Sequence, residues 1–152
     1  MRLLDDIDIS ILNLLQHNAD LPHKEIANKI NRSVPTIYER VRRLKADGFI
    51  QRTVAILDRK KINKGLMAFS QVLLNDHTAV TLDTFAGQVN NFPEVLECFQ
   101  MSGSCDFLLR IVTKNMDAYL DVYKRLGELP NITTITSYFV LSEIKSETAY
   151  KL

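Results

Sequence analysis

The residues of this 152-residue chain whose types and spacing most clearly point to chemistry are the cations crowded between Arg32 and Lys45. Five basic side chains, Arg32, Arg40, Arg42, Arg43 and Lys45, share that stretch with one acid, Glu39. Cationic groups held this close together attract a polyanion, and each one that neutralises a phosphate releases a counterion. Nothing comparable points to bond making. The histidines, His17, His23 and His77, are scattered, and no acid–base set converges in sequence, so neither catalytic residues nor a resident cofactor are expected. Cys98 and Cys105 are too few for a disulfide framework or a four-ligand metal site. They stand at no ligand spacing from the histidines and read as reduced thiols in packing roles, with no metal.

The cations need an element to aim them, and the stretch itself supplies one. Ser33 is a good N-cap and Pro35 suits the first turn, where a missing N–H costs little. Ile37, Val41 and Leu44 recur at i, i+4, i+7 and share one face. Pro35, Glu39, Arg42 and Arg43 fall opposite it, with Thr36 and Arg40 on one flank and Tyr38 and Lys45 on the other. Such a helix fits a DNA groove. Taken alone it also fits a solvated surface helix in which Glu39 pairs with Arg42 or Arg43. Its surroundings favour DNA. Residues 1–63 carry 12 Lys and Arg against 8 Asp and Glu, a balance of +4, whereas residues 64–152 carry 7 against 10, a balance of −3. A polyanion is therefore expected at the first part.

Upstream, Asp5 and Asp6 open a helix carrying Ile7, Ile11, Leu14 and Leu15, which Asn18-Ala19-Asp20 ends. A short helix follows Pro22, from His23 to Ile30, burying Ile26, Ala27 and Ile30. Asn31 then suits the left-handed conformation of a tight turn before Ser33. This order is a helix-turn-helix. Phe49-Ile50 and Thr53–Leu57 read as extended, as in a winged version. Asp58-Arg59-Lys60-Lys61 is a basic break, either an exposed turn or a hinge near phosphates.

Beyond it the pattern is strand (66–74), helix (80–89, with Leu82, Phe85, Ala86 and Val89 inward), strand (95–101), a Ser102–Cys105 turn, and strand (107–112). A helix over 116–129 (Tyr119, Leu120, Tyr123 and Leu126 inward) and a strand over 132–144 complete it. That string, βαββαβ, is the ferredoxin-like arrangement. It leaves one sheet face without helices, which predicts a homo-oligomer. The expected organisation is a helix-turn-helix domain (1–50), a strand or linker hinge (51–63) and a second domain (64–152). A composition of 46% hydrophobic and 24% charged residues is ordinary for a soluble protein. No apolar run approaches the roughly 20 residues of a membrane span, and the opening Met1–Asp6 does not resemble a signal peptide. A cytoplasmic protein with no membrane partner is expected.

The chain resembles the Lrp/AsnC (leucine-responsive regulatory protein, feast/famine) family of transcriptional regulators. The resemblance rests on Leu4-Asp5-Asp6-Ile7-Asp8 with Ile11-Leu12, on Glu39–Leu44 with Gly48-Phe49-Ile50, and on Met101–Leu109. Pro93-Glu94-Val95 and Glu143-Ile144-Lys145 also fit. It implies an α+β chain: an N-terminal, winged-helix-like helix-turn-helix joined to a C-terminal ferredoxin-like domain of the ACT-like (RAM) type. It also implies dimers, often assembled into octamers, and an amino acid effector bound between dimers. Asp106 matches an effector-responsive acidic position, Phe139 and Val140 match two positions on the closing strand, and Ser102, Gly103 and Ser104 match the turn lining the site. Three departures stand out. Asn31-Arg32 replaces a usual Gly-Leu, Asp20 a frequent Arg, and Cys105 a residue, often aromatic, that lines the effector site.

The DNA-facing set expected is then Ser33, Pro35, Thr36, Tyr38, Glu39, Arg40, Arg42, Arg43 and Lys45. The arginines and lysine grip phosphate, and the early residues with one arginine read bases. Tyr38 either donates to a phosphate or packs on the first helix. At the second site, Asp106 would pair with an α-ammonium while N–H groups around Ser102–Cys105 hold a carboxylate. Alone, these residues equally fit a turn that Gly103 makes and Asp106 caps. Two rivals share the pattern: a low-specificity nucleoid-type architectural protein, and an enzyme related to siroheme decarboxylases.

Overall fold

The computed structural model describes residues 3–152. Met1 and Arg2, read above as part of a non-signal N-terminus, lie outside them. Two compact units are present. One comprises the chain up to Ile56 together with Ile144–Leu152, and the other is Leu57–Glu143.

In the first unit, α1 (Asp6–His17), α2 (His23–Lys29) and α3 (Val34–Ala46) pack around buried Ile11, Ile26, Ala27, Ile37, Val41 and Leu44. The Asp5 carboxylate caps α1 by accepting from the Asp8 N–H at 2.8 Å. Ser33 caps α3 by accepting from the Thr36 N–H at 3.3 Å. The turn between α2 and α3 is made at Asn31, with φ +52°. After α3 the Ile50 N–H bonds back to Leu44 O at 3.1 Å, and Phe49 and Ile50 pack on the core. Among the described residues the extension expected over 53–57 pairs with no strand; Val54, Ile56 and Leu57 are exposed. The basic break is an ordered turn in the second unit. Asp58 O accepts from the Lys61 and Ile62 N–H groups at 3.1 and 3.3 Å, and the Asp58 carboxylate accepts from the Lys60 N–H at 2.9 Å.

The second unit runs β1 (Leu66–Leu74), α4 (Ala79–Val89), β2 (Val95–Gln100), β3 (Phe107–Thr113), α5 (Met116–Gly127), β4 (Ile132–Phe139). Its antiparallel sheet has the order β2-β3-β1-β4. Residues alternate along each strand. Ala68, Val72, Leu74, Phe107, Leu109 and Ile111 meet Phe85 and Val89 of α4 and Tyr119, Val122 and Leu126 of α5 in one core. Both helices therefore cover the same face. Ser70, buried among them, shares hydrogen bonds with the hydroxyls of Tyr119 and Ser137, which also bond to each other.

Four expectations shift here. Ala86 is exposed, and Thr81 takes the inward place on α4. On α5 the inward stripe is Tyr119, Val122, Leu126, so Leu120 and Tyr123 flank it and remain partly exposed. The last strand stops at Phe139 rather than continuing to Ile144. Phe139 already pairs with Ala68, and the Val140 N–H makes a final bond to Met67 O at 2.9 Å near the start of β1. The final nine residues, expected within 64–152, lie instead with the first unit. There the Gln16 carboxamide donates to Tyr150 O at 2.7 Å and accepts from the Tyr150 N–H at 2.8 Å.

Leu109 has no exposed surface in the middle of β3. Leu109→Ala is expected to cost about 2–5 kcal/mol through lost transfer energy and a residual cavity. Urea unfolding followed by circular dichroism checks this.

Candidate functional sites

The positive side of α3 is not uniform. Asp8 is 1% exposed. Its carboxylate accepts from Arg40 at 2.8 Å and from Arg43 at 3.2 and 3.3 Å. The same Arg40 nitrogen reaches both Asp5 oxygens at 2.7 Å. Pairing with Arg40 and capping of the Asp8 N–H hold the Asp5 carboxyl down at about 2. The Arg40 guanidinium is held above its ordinary range, chiefly by Asp5. This bears on the phosphate contact expected of Arg40. Its Nη1 serves two carboxylates and its side chain is 19% exposed, so part of its donor capacity is used inside the unit. Arg43 is partly engaged in the same way.

The remaining members of the set face outward or are half-committed. Arg42 is exposed and pairs with Glu39 at 2.6 and 3.1 Å, which lowers the Glu39 carboxyl. Lys45 is exposed and makes no ion pair among the described residues. Pro35, Thr36 and Tyr38 are exposed in the first half of α3, with the Tyr38 ring edge-on to His23 at 5.7 Å. The Ser33 hydroxyl is occupied, because it lies 2.7 Å from the Thr36 hydroxyl as well as capping the helix. Asp8 was missed as a partner for these cations. The signal was available, since Asp8 stands at i−3 from Ile11 and so on the buried face of α1, where an acid needs a cation.

At the second candidate site the turn after β2 carries Ser102, Gly103 and Ser104, all exposed, with Gly103 at φ +123°. Asp106 closes it. Its carbonyl accepts from the Met101 N–H at 2.8 Å, and its own N–H donates to Val72 O at 2.9 Å. One carboxylate oxygen accepts from the Leu74 N–H at 2.8 Å, which ties Asp106 to β1, and the other lies 3.0 Å from Nε2 of His77. Ser104 and Cys105 line a hollow of about 90 Å³ with Gln71, Leu73, Thr134 and Thr136. Phe139 and Val140 lie elsewhere. Phe139 sits opposite Ala68, packs edge-on to Tyr119 at 4.9 Å, and lines a different, apolar hollow of about 260 Å³ with Met116, Leu120 and Tyr123. Six steps along β1, from Leu74 to Ala68, separate the two places, roughly 20 Å at strand rise. One chain does not bring Asp106 together with Phe139 and Val140.

Comparison with known proteins agrees with both halves. Residues 4–51 match the winged helix-turn-helix DNA-binding model, and residues 67–150 match the Lrp/AsnC ligand binding domain. The glutamate uptake regulatory protein of Zymomonas mobilis is 36% identical over 152 residues, covering 100% of this chain and 93% of its own length. An AsnC family transcriptional regulator from Agrobacterium tumefaciens superposes with a TM-score of 0.92 at 34% identity, covering 97% of each chain. A transcriptional regulator from Neisseria meningitidis, solved as a complex with L-Met, gives a TM-score of 0.92 at 32% identity, covering 98% of this chain and 97% of that one. Among the described residues no helix is long and apolar enough to cross a membrane.

Removing the Asp8 carboxylate leaves two guanidinium groups facing a buried site. Asp8→Ala is expected to destabilise the first unit by about 3–5 kcal/mol, read from thermal or urea unfolding. Asp5 sets a pH dependence. Its folded value of about 2 lies below the ordinary 3.8, so its contribution is complete above about pH 4 and is lost as the pH falls toward 2. In an acid titration the wild type should lose stability across that window more steeply than Asp5→Asn.

Proposed function

Because the chain belongs to the Lrp/AsnC family of transcriptional regulators, we propose that its effector is an amino acid seated between copies of its second unit, and that the exposed side of α3 reads its operator. The chain is a DNA-binding regulator whose DNA binding responds to a small effector. The finer reading is supported above all by the separation of Asp106 from Phe139 and Val140. A site containing both is completed by a second copy, because no single chain can close it. The L-Met complex of the Neisseria relative supports an amino acid as ligand.

Chemistry assigns the parts. Asp106, held rigid by Leu74, takes the ammonium group, and N–H groups of the Ser102–Cys105 turn take the carboxylate. Phe139 and Val140 of another copy meet the ligand's side chain. The sheet face without helices carries half-buried Phe69, Leu73 and Leu108 and is the surface through which copies pair, with octamers as the further assembly. On DNA, Arg42, Lys45 and the shared Arg43 contact phosphate, while Pro35, Thr36 and Glu39 lie at the bases. Ser33 holds the helix start, and Tyr38, exposed and edge-on to His23 of α2 instead of packed on α1, donates to a phosphate. Work on genomic DNA puts the protein in the cytoplasm, and no catalysis is proposed for it.

A mobility shift on the region upstream of its own gene, with each of the twenty amino acids, tests this. At least one amino acid should move the midpoint about fivefold or more. Equal affinity for random DNA at the same salt, with no response to any amino acid, would favour the architectural reading. Each of Arg42→Ala and Lys45→Ala should reduce the slope of log K against log salt by about 0.9. Arg40→Ala should leave that slope unchanged and lower the unfolding midpoint.

A further inference from the structure

We propose that His77 is a protonation-controlled competitor for the effector's ammonium group at Asp106, so that effector binding strengthens as the pH rises from about 5.5 to 8. This rests on the reading that Asp106 receives that ammonium.

The geometry is specific. Of the two Asp106 carboxylate oxygens, one is committed to the Leu74 N–H. The other is the one left to meet a cation, and Nε2 of His77 stands 3.0 Å from it. The Asp106 side chain is 13% exposed while that of His77 is 61% exposed. The carboxylate is therefore fixed and the imidazole is free to swing away into solvent. An imidazolium in that position presents a charged N–H donor where an incoming ammonium would present its own. A neutral imidazole gives up the position more readily, because no ion pair is lost.

Two carboxylates lie close to the competitor. The carboxylates that face His77 are those of Asp106 and of its chain neighbour Asp76. Asp76 accepts from the Thr81 hydroxyl at 2.6 Å, the Thr78 hydroxyl at 2.8 Å and the Thr78 N–H at 3.1 Å, which holds its carboxyl below the usual range. The buried Cys105 thiol belongs to the chain neighbour of Asp106 in the turn. Among the described residues neither carboxylate has a Lys or Arg partner. His77 is thus the side chain that can neutralise the seat when the seat is empty.

Calorimetry on the full-length protein with each of the twenty amino acids, at pH 8 and pH 5.5, tests this. The variants are His77→Ala and His77→Lys, with circular dichroism confirming that each is folded. The wild type should bind at least one amino acid at pH 8 and bind it about fivefold or more weakly at pH 5.5. His77→Ala should bind equally well at both values, and His77→Lys, charged throughout, equally weakly at both. Equal wild-type affinity at the two pH values would overturn the role of His77 and leave the effector site standing. So would a pH dependence that survives in His77→Ala, or weaker binding of His77→Ala at pH 8. No binding of any amino acid to the wild type at pH 8 would overturn the effector reading itself, and this inference with it.

Discussion

The Asp8 carboxylate, almost wholly removed from water, lies between the guanidinium groups of Arg40 and Arg43, and the first unit is arranged around that contact. An unpaired carboxylate at that depth would cost several kcal/mol. Ile37, Val41 and Leu44 press α3 onto the core, but apolar packing alone tolerates sliding and rotation. Two arginines three residues apart, converging on one acid of α1, fix both. The same contact divides the charge of α3. Arg40 and Arg43 are engaged inside the unit, whereas Arg42 and Lys45 are exposed. Arg42 in turn is held by Glu39 in an exposed pair, the kind that contributes little to stability and exchanges readily. A phosphate or a guanine edge can therefore take Arg42 from Glu39 at small cost, whereas taking Arg40 from Asp8 would leave a buried acid with Arg43 as its one cationic partner among the described residues.

The second unit has its own organising element, β1, flanked by β3 on one side and β4 on the other. Its inward residues build the core, and its two ends serve different partners. At Leu74 the backbone N–H holds Asp106, and at Met67 and Ala68 the strand receives Val140 and Phe139. Because β1 is rigid and central, the two ends cannot approach one another. In the proposed function, a ligand needing both chemistries would recruit a second copy and so couple occupancy of the site to assembly.

Local residue chemistry carried much of this in the sequence, and tertiary contact carried the rest. Asn31, Ser33, Pro35 and Gly103 act through their own backbone and caps, so the turns they make could be read without a fold. The α3 stripe was legible because Ile37, Val41 and Leu44 keep helical period without a gap. On α5 the apolar residues Tyr119, Leu120, Val122, Tyr123 and Leu126 cover an arc wider than the contact with the sheet, and only packing against the sheet selects Val122 over Leu120 and Tyr123. The committed state of Arg40 was not legible from α3 alone. Its partners lie 32 and 35 residues earlier, at positions that by themselves look like a helix N-terminus. His77 escaped for the same reason, since its meaning depends on Asp106 across the sheet edge. The length of the last strand was overestimated because alternation persists after β1 has run out of backbone to pair with.

The open sheet face adds a constraint on how copies can pair. Glu97 and Arg110 sit directly opposite one another on it, bonded at 2.8 and 2.9 Å, and Arg110 holds the Glu97 carboxyl below its ordinary range. Around them, Phe69, Leu73, Leu108 and Phe99 supply apolar surface on the same face. When such a face is covered, the apolar groups contribute roughly 25 cal/mol for each Å² buried. The ion pair contributes little net energy, because its desolvation offsets its attraction. What the pair does is remove an obstacle. A lone arginine in the middle of that face would resist burial by any partner, while a neutralised pair can be enclosed. It also sets a condition, because its leftover hydrogen-bonding capacity must be met across the interface. A related copy presenting the same pair in two-fold register can meet it, and an arbitrary apolar surface cannot. In the proposed pairing of copies, the ion pair would thereby select the partner whose apolar contacts then hold it.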